Sequence, residues 1–95
     1  MEREIEKEIK KVKLEVIKDY ILELTRRITA AEMDLATLSK MDENEVIDEK
    51  PSSLLGGAKE KITVKDRMEE LKKAIKHNQM ALEVARAKYE ELNEK

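Results

Sequence analysis

The sequence predicts an all-α protein. Three observations carry this prediction: two long heptad repeats, a near absence of Gly and Pro, and a high charge content. Charged residues make up 44% of the 95 residues, with only 2 Gly and 1 Pro, which is typical of coiled coils and long helices. The chain also lacks Phe and Trp, the aromatic bulk on which compact cores usually depend. We therefore expect a long antiparallel two-helix hairpin, coiled-coil-like, that assembles into an oligomeric helical bundle.

The clearer repeat lies in a predicted second helix over residues 64–93, where apolar residues recur at alternating intervals of four and three. Its seam consists of Val64, Met68, Leu71, Ile75, Asn78, Leu82, Ala85, Tyr89 and Leu92. This spacing is that of a helix packed along another helix. Thr63 precedes the seam and Asp66 lies three residues on, which predicts an N-cap close to a capping box.

A predicted first helix over residues 2–40 contains neither Gly nor Pro and has two apolar faces. One face is a seam made of Leu14, Ile17, Ile21, Leu24, Ile28, Ala31, Leu35 and Leu38. The other, which we call the stripe, is made of Ile5, Ile9, Val12, Val16 and Tyr20. At about 100° per residue the two faces lie roughly 120° apart. A helix in a two-helix hairpin needs only one apolar face, so the stripe is predicted to be an oligomer interface.

The unequal lengths of the two predicted helices also indicate an oligomer. Both rise about 1.5 Å per residue, so the second helix folds back only to about residue 10 and leaves the start of the stripe uncovered. A second copy of the chain would cover it, and we expect a homo-oligomer. Asn78, a polar residue in the seam, is a further interface candidate. It either fixes register and subunit number, at a cost in stability, or lies where the seam meets solvent.

The connector at residues 41–62 is acidic and longer than the two to eight residues usual between helices in bundles. Val46, Ile47 and Ile62 suit either short strands or a helical extension. The connector contains an apolar, glycine-bearing tip: Leu54, Leu55, Gly56 and Gly57. This tip is predicted either to bind a protein partner or to tuck onto the end of the bundle.

Several functional classes are disfavoured by composition. The chain has no Cys, which removes thiol catalysis and Cys-ligated zinc and suits a reducing cytoplasm. The net charge of −2 supplies no basic field for nucleic acid or for an anionic membrane, and no apolar run is long enough to span a bilayer. His77, the lone histidine, is predicted to be solvated, without the neighbouring ligands that a metal needs. We expect no enzyme, metal or cofactor.

The function predicted from the residues is protein–protein interaction or assembly, for instance by a small accessory or inhibitor protein acting through its helical seams and its tip. In outline, two long helices around a central insert also resemble prefoldin subunits, whose helix tips hold unfolded clients. No residue motif carries this resemblance, and residues 41–62 lack a clear pair of β-hairpin patterns. A third alternative is an oligomeric sponge that sequesters a small anionic ligand at subunit interfaces. For that function Lys59, Lys61 and Arg67 would be the anion contacts.

Overall fold

The computed structural model of the chain consists of two long helices joined by a short antiparallel strand pair, and it describes residues 2–51 and 59–94. In chain order the elements are α1 (Glu2–Leu38), β1 (Val46–Pro51), β2 (Lys59–Thr63) and α2 (Val64–Glu94). The radius of gyration is 20.2 Å, whereas a compact domain of 100 residues has about 13 Å. The fold is therefore extended, with principal dimensions of 64 × 32 × 14 Å.

The two helices lie side by side and run antiparallel. Close to the strand pair, Leu38 of α1 and Leu71 of α2 line the same cleft. At the opposite end of the molecule, Ile9 of α1 lines a cleft together with Leu92 of α2. Residue numbers in α1 thus fall as those in α2 rise. Since α2 ends at Glu94, two residues beyond Leu92, the first turn of α1 extends past it.

The core is the line along which the two helices meet. Every residue of the two predicted seams is buried or half-buried, which confirms that the heptad spacing marks the contact faces. The buried members are Leu24, Ile28, Ala31, Val64 and Ala85, of which Leu24 and Val64 are fully buried. A single line of contact encloses far less apolar surface than a globular core of the same length.

The start of α2 is fixed by reciprocal hydrogen bonds, as the sequence predicts. The Asp66 backbone N–H donates to Thr63 Oγ1 at 3.2 Å, and the Thr63 N–H donates to Asp66 Oδ2 at 3.0 Å. Two further backbone N–H groups at the start of α2 donate hydrogen bonds to carbonyls of the turn that follows α1. The Val64 N–H bonds the Glu45 carbonyl and the Lys65 N–H bonds the Glu43 carbonyl. These bonds join the turn after α1 to the first turn of α2.

The strand pair is the main departure from the all-α expectation. Residues 46–51 and 59–63 pair antiparallel, with Asp48 opposite Ile62 and Lys50 opposite Glu60. Residues such as Val46 and Ile62 favour strands because their branched side chains fit a pleated surface. Pairing between the two segments is a contact distant in sequence, so the local spacing of residues does not reveal it. α1 ends at Leu38, two residues before the predicted boundary.

Loss of the cap is expected to destabilise the protein in a pH-dependent manner. Thr63→Ala should cost about 1 kcal/mol at neutral pH, the usual cost of losing an N-cap. The backbone N–H of Thr63, and secondarily its side chain, lowers the pKa of Asp66 below its ordinary value. A depressed carboxyl pKa contributes stability above the unfolded-state pKa, and that contribution disappears as the pH falls below about 4.

Thermal melts of wild type, Thr63→Ala and Asp66→Asn across this pH range measure the effect. Thr63→Ala keeps the backbone N–H that bonds Asp66, so we expect the difference that shrinks in acid to be the one between wild type and Asp66→Asn. Thr37→Ala is the matched control. The hydroxyl of Thr37 bonds the carbonyl of Met33 within α1 and caps nothing. A gap between wild type and Asp66→Asn that persists unchanged in acid would contradict the role of Asp66.

Candidate interaction surface

The stripe remains exposed in the folded chain. Its five side chains are between 48% and 62% exposed, although all are large and apolar: Ile5, Ile9, Val12, Val16 and Tyr20. α2 does not cover them because it lies against the other apolar face of α1. A contiguous apolar patch of this kind on a small protein typically marks a site of protein interaction.

α2 contributes to the same surface. Val16 and Tyr20 of α1 line one groove together with Ala81, Val84 and the aliphatic part of Lys88. Val84 is 71% exposed, the highest value among the large apolar side chains of the described residues. The stripe and this groove form one surface, which we call the apolar face. It lies on the half of the molecule remote from the strand pair.

The contribution of α2 to the apolar face is not evident from its heptads. Ala81, Val84 and Lys88 each directly precede a seam residue, so they lie about 100° around the helix from the contact line. Val16 and Tyr20 likewise precede the seam residues Ile17 and Ile21. In an antiparallel pair these two sets face the same side. The positions of these side chains can therefore be found in the sequence, because each of them stands one residue before a seam residue.

Asn78 and His77 occupy different environments. Asn78 is half-buried in the α2 seam, and the described part of the chain offers its side chain no hydrogen-bond partner. Its predicted role in register or subunit number stays a prediction. His77 is exposed, in the solvated position that the sequence predicts.

The predicted tip lies outside the residues that the structure describes, so Leu54, Leu55, Gly56 and Gly57 stay a sequence-based prediction. The strands that lead to the tip are described. Lys50 Nζ of β1 lies 3.8 Å from Glu60 Oε2 of β2. Both side chains are more than half exposed, and such a pair contributes little to stability.

Two of the three candidate anion contacts, Lys61 and Arg67, have side chains that the structure describes, and they line no common pocket. Arg67 is engaged by two carboxylates, with Nη2 3.6 Å from Asp48 Oδ2 and Nε 3.6 Å from Glu70 Oε2. Lys61 lies on β2 opposite Glu49. The backbone of Lys59 pairs with β1 at Pro51. Carboxylates close to Arg67 and Lys61 offset the positive charge that an anion would need, and the sponge alternative stays a prediction.

Neither a metal cluster nor a membrane span is found in the part of the chain that the structure describes. Within residues 2–51 and 59–94, no three His, Cys, Asp or Glu side chains are grouped as metal ligands. Neither described helix combines the length and the apolar character needed to cross a bilayer.

No protein-family model, no curated protein and no solved structure matches the chain.

Proposed function

We propose that the protein is a non-enzymatic assembly module of the cytoplasm that associates with other polypeptide chains through the apolar face. The observation that carries this proposal is the exposure of the stripe. Five large apolar side chains stay about half exposed or more, although α1 already buries a complete seam against α2. Covering them removes apolar area from water, which favours association by roughly 25 cal/mol per Å² before its costs.

The shape of the molecule supports the same function. α1 and α2 make a ribbon whose two ends differ: one end carries the strand pair, and the other carries the apolar face. Association through the apolar face would leave the strand pair and the predicted tip free. Such an assembly displays several copies of one surface, and multiple copies raise the apparent affinity for a partner with repeated sites.

Deletion of residues 1–12 tests the proposal. It removes Ile5, Ile9 and Val12 but keeps both seams, since the seam of α1 starts at Leu14. We expect the full chain to sediment as an oligomer at micromolar concentration and the truncated chain to sediment as a monomer. Circular dichroism checks that the truncated chain is still helical. A monomeric full chain, or a folded truncated chain that associates as strongly as the full chain, would contradict the proposal.

The chaperone alternative has one observation in its favour. The insert between the helices contains an antiparallel strand pair, which brings the outline closer to that of two long helices around a β-hairpin. An apolar face can also hold an unfolded client. Suppression of the aggregation of a denatured model protein, lost in the Val16→Glu variant, would support this second function.

A further inference from the structure

The arrangement of charges beside the stripe indicates what covers it. In heptad notation Ile5 and Val12 occupy position d, and Ile9 and Val16 occupy position a, because the intervals between them are four, three and four. Tyr20 follows at the next interval of four, and so departs from the heptad. The stripe therefore offers two heptads of β-branched core residues.

Charged residues lie at the flanking positions of this short repeat. Position g, just before each a residue, holds Glu8 and Glu15, and position e, just after each d residue, holds Glu6 and Lys13. All four side chains are exposed. In a parallel pair, residue g of one helix meets residue e of the next heptad on the other helix, five residues on. Glu8 of one copy would thus lie beside Lys13 of another, twice in each two-fold pair.

The opposite orientation would place like charges together. When two stripes pack antiparallel, g residues meet g residues and e residues meet e residues, so Glu8 of one copy lies beside Glu15 of the other and Glu6 lies beside Lys13. The attraction between Glu6 and Lys13 then only offsets the repulsion between Glu8 and Glu15, whereas the parallel pair has the Glu8–Lys13 attraction without such a repulsion. Like charges at such positions oppose association, whereas opposite charges select partner and orientation. The pattern therefore favours a parallel arrangement.

The folded hairpin leaves room for such a contact. Lys13 borders the cleft that contains Leu92, so it lies where α2 is about to end. Among the described residues α2 ends at Glu94, so the first turn of α1 extends past that end. A second α1 can lie along the stripe while α2 keeps its place on the other apolar face.

We propose that α1 packs in parallel against α1 of a second copy of the chain, through Ile5, Ile9, Val12 and Val16, with Glu8 of each copy paired to Lys13 of the other. This inference rests on the proposed function and specifies its partner and orientation. In this arrangement the strand pairs of all copies project from the same end of the assembly.

Charge exchange provides the first test. Glu8→Lys and Lys13→Glu each place like charges at both g–e contacts, and each should weaken self-association about tenfold, as expected for the reversal of two charge pairs. The double variant should recover the wild-type affinity, and an equimolar mixture of the two single variants should form mixed oligomers. Lys18→Glu, which changes an exposed charge away from the stripe, is the matched control and should have no effect.

Cysteine crosslinking provides the second test, and the absence of native Cys makes it clean. In a parallel pair Ile9→Cys lies against its own counterpart, so mild oxidation should give a covalent dimer. In an antiparallel pair a residues face d residues, so position 9 faces position 12, and only a mixture of Ile9→Cys and Val12→Cys chains should crosslink. Sedimentation of the variants confirms that each still associates before oxidation.

The outcomes separate the two proposals. Association that weakens in Glu8→Lys, recovers in the double variant and gives the Ile9→Cys dimer supports the parallel arrangement. Association that strengthens in Glu8→Lys, or crosslinks only in the Ile9/Val12 mixture, overturns it and leaves the assembly function standing. A wild-type chain that stays monomeric and captures no second copy overturns the parallel arrangement and the assembly function together.

Discussion

The Val16→Glu variant is expected to lose self-association by about a hundredfold or more, because a carboxylate would be buried among apolar side chains in the interface without a partner. The fold of the single chain should be unaffected. Val16 is 62% exposed, and substitutions at exposed positions usually change stability by less than about 0.5 kcal/mol. Sedimentation velocity gives the association constant, and circular dichroism gives the helix content.

Met33→Glu is the matched control for this variant. Met33 lies on α1, is 65% exposed and does not belong to the stripe. The Met33→Glu variant should therefore associate as the wild type does. Equal loss of association in the two variants would show that any apolar contact on α1 suffices, and the specific role of the stripe would be wrong.

The Leu24→Ala variant is expected to lose about 3 kcal/mol of stability, the usual cost of removing a buried leucine side chain. Leu24 is only 1% exposed and lies at the middle of the α1 seam. The substitution leaves a cavity between the two helices. Because only two helices meet there, few neighbouring side chains can move to fill it. Because a small domain has only about 5 to 15 kcal/mol in total, this single change should remove a large share of the stability.

Leu22→Ala deletes the same atoms from the same helix, but Leu22 is 46% exposed. It should cost less than about 1 kcal/mol. Denaturant unfolding at one fixed protein concentration compares the two, since association also shifts apparent stability. A cost at Leu22 equal to that at Leu24 would contradict the placement of the seam between the helices.

The helical part of the fold could be predicted because its signal is local. Alternating steps of three and four place residues such as Leu24 and Ala85 on one side of each helix, and only the spacing along the chain is needed to see it. The Thr63–Asp66 cap is local in the same sense, and it forms as the spacing predicts. The exposure of the stripe could be predicted because α1 has two apolar faces and α2 covers only one of them.

The strand pair could not be derived in that way. Val46, Ile47 and Ile62 are compatible with strands, but a strand is stabilised by the partner it pairs with, and that partner lies beyond the intervening tip. The α2 half of the apolar face was missed for a related reason. Val84 lies off the seam of its own helix, and it joins Val16 and Tyr20 only after the two helices are placed antiparallel.

The central claim is that the stripe on α1 is a self-association surface. Sedimentation equilibrium of the wild-type chain, from micromolar to submillimolar concentration, tests it most directly. The account predicts a mass that rises with concentration to a whole multiple, two or more, of the 11.1 kDa chain. A mass that stays at 11.1 kDa across the whole range would contradict it.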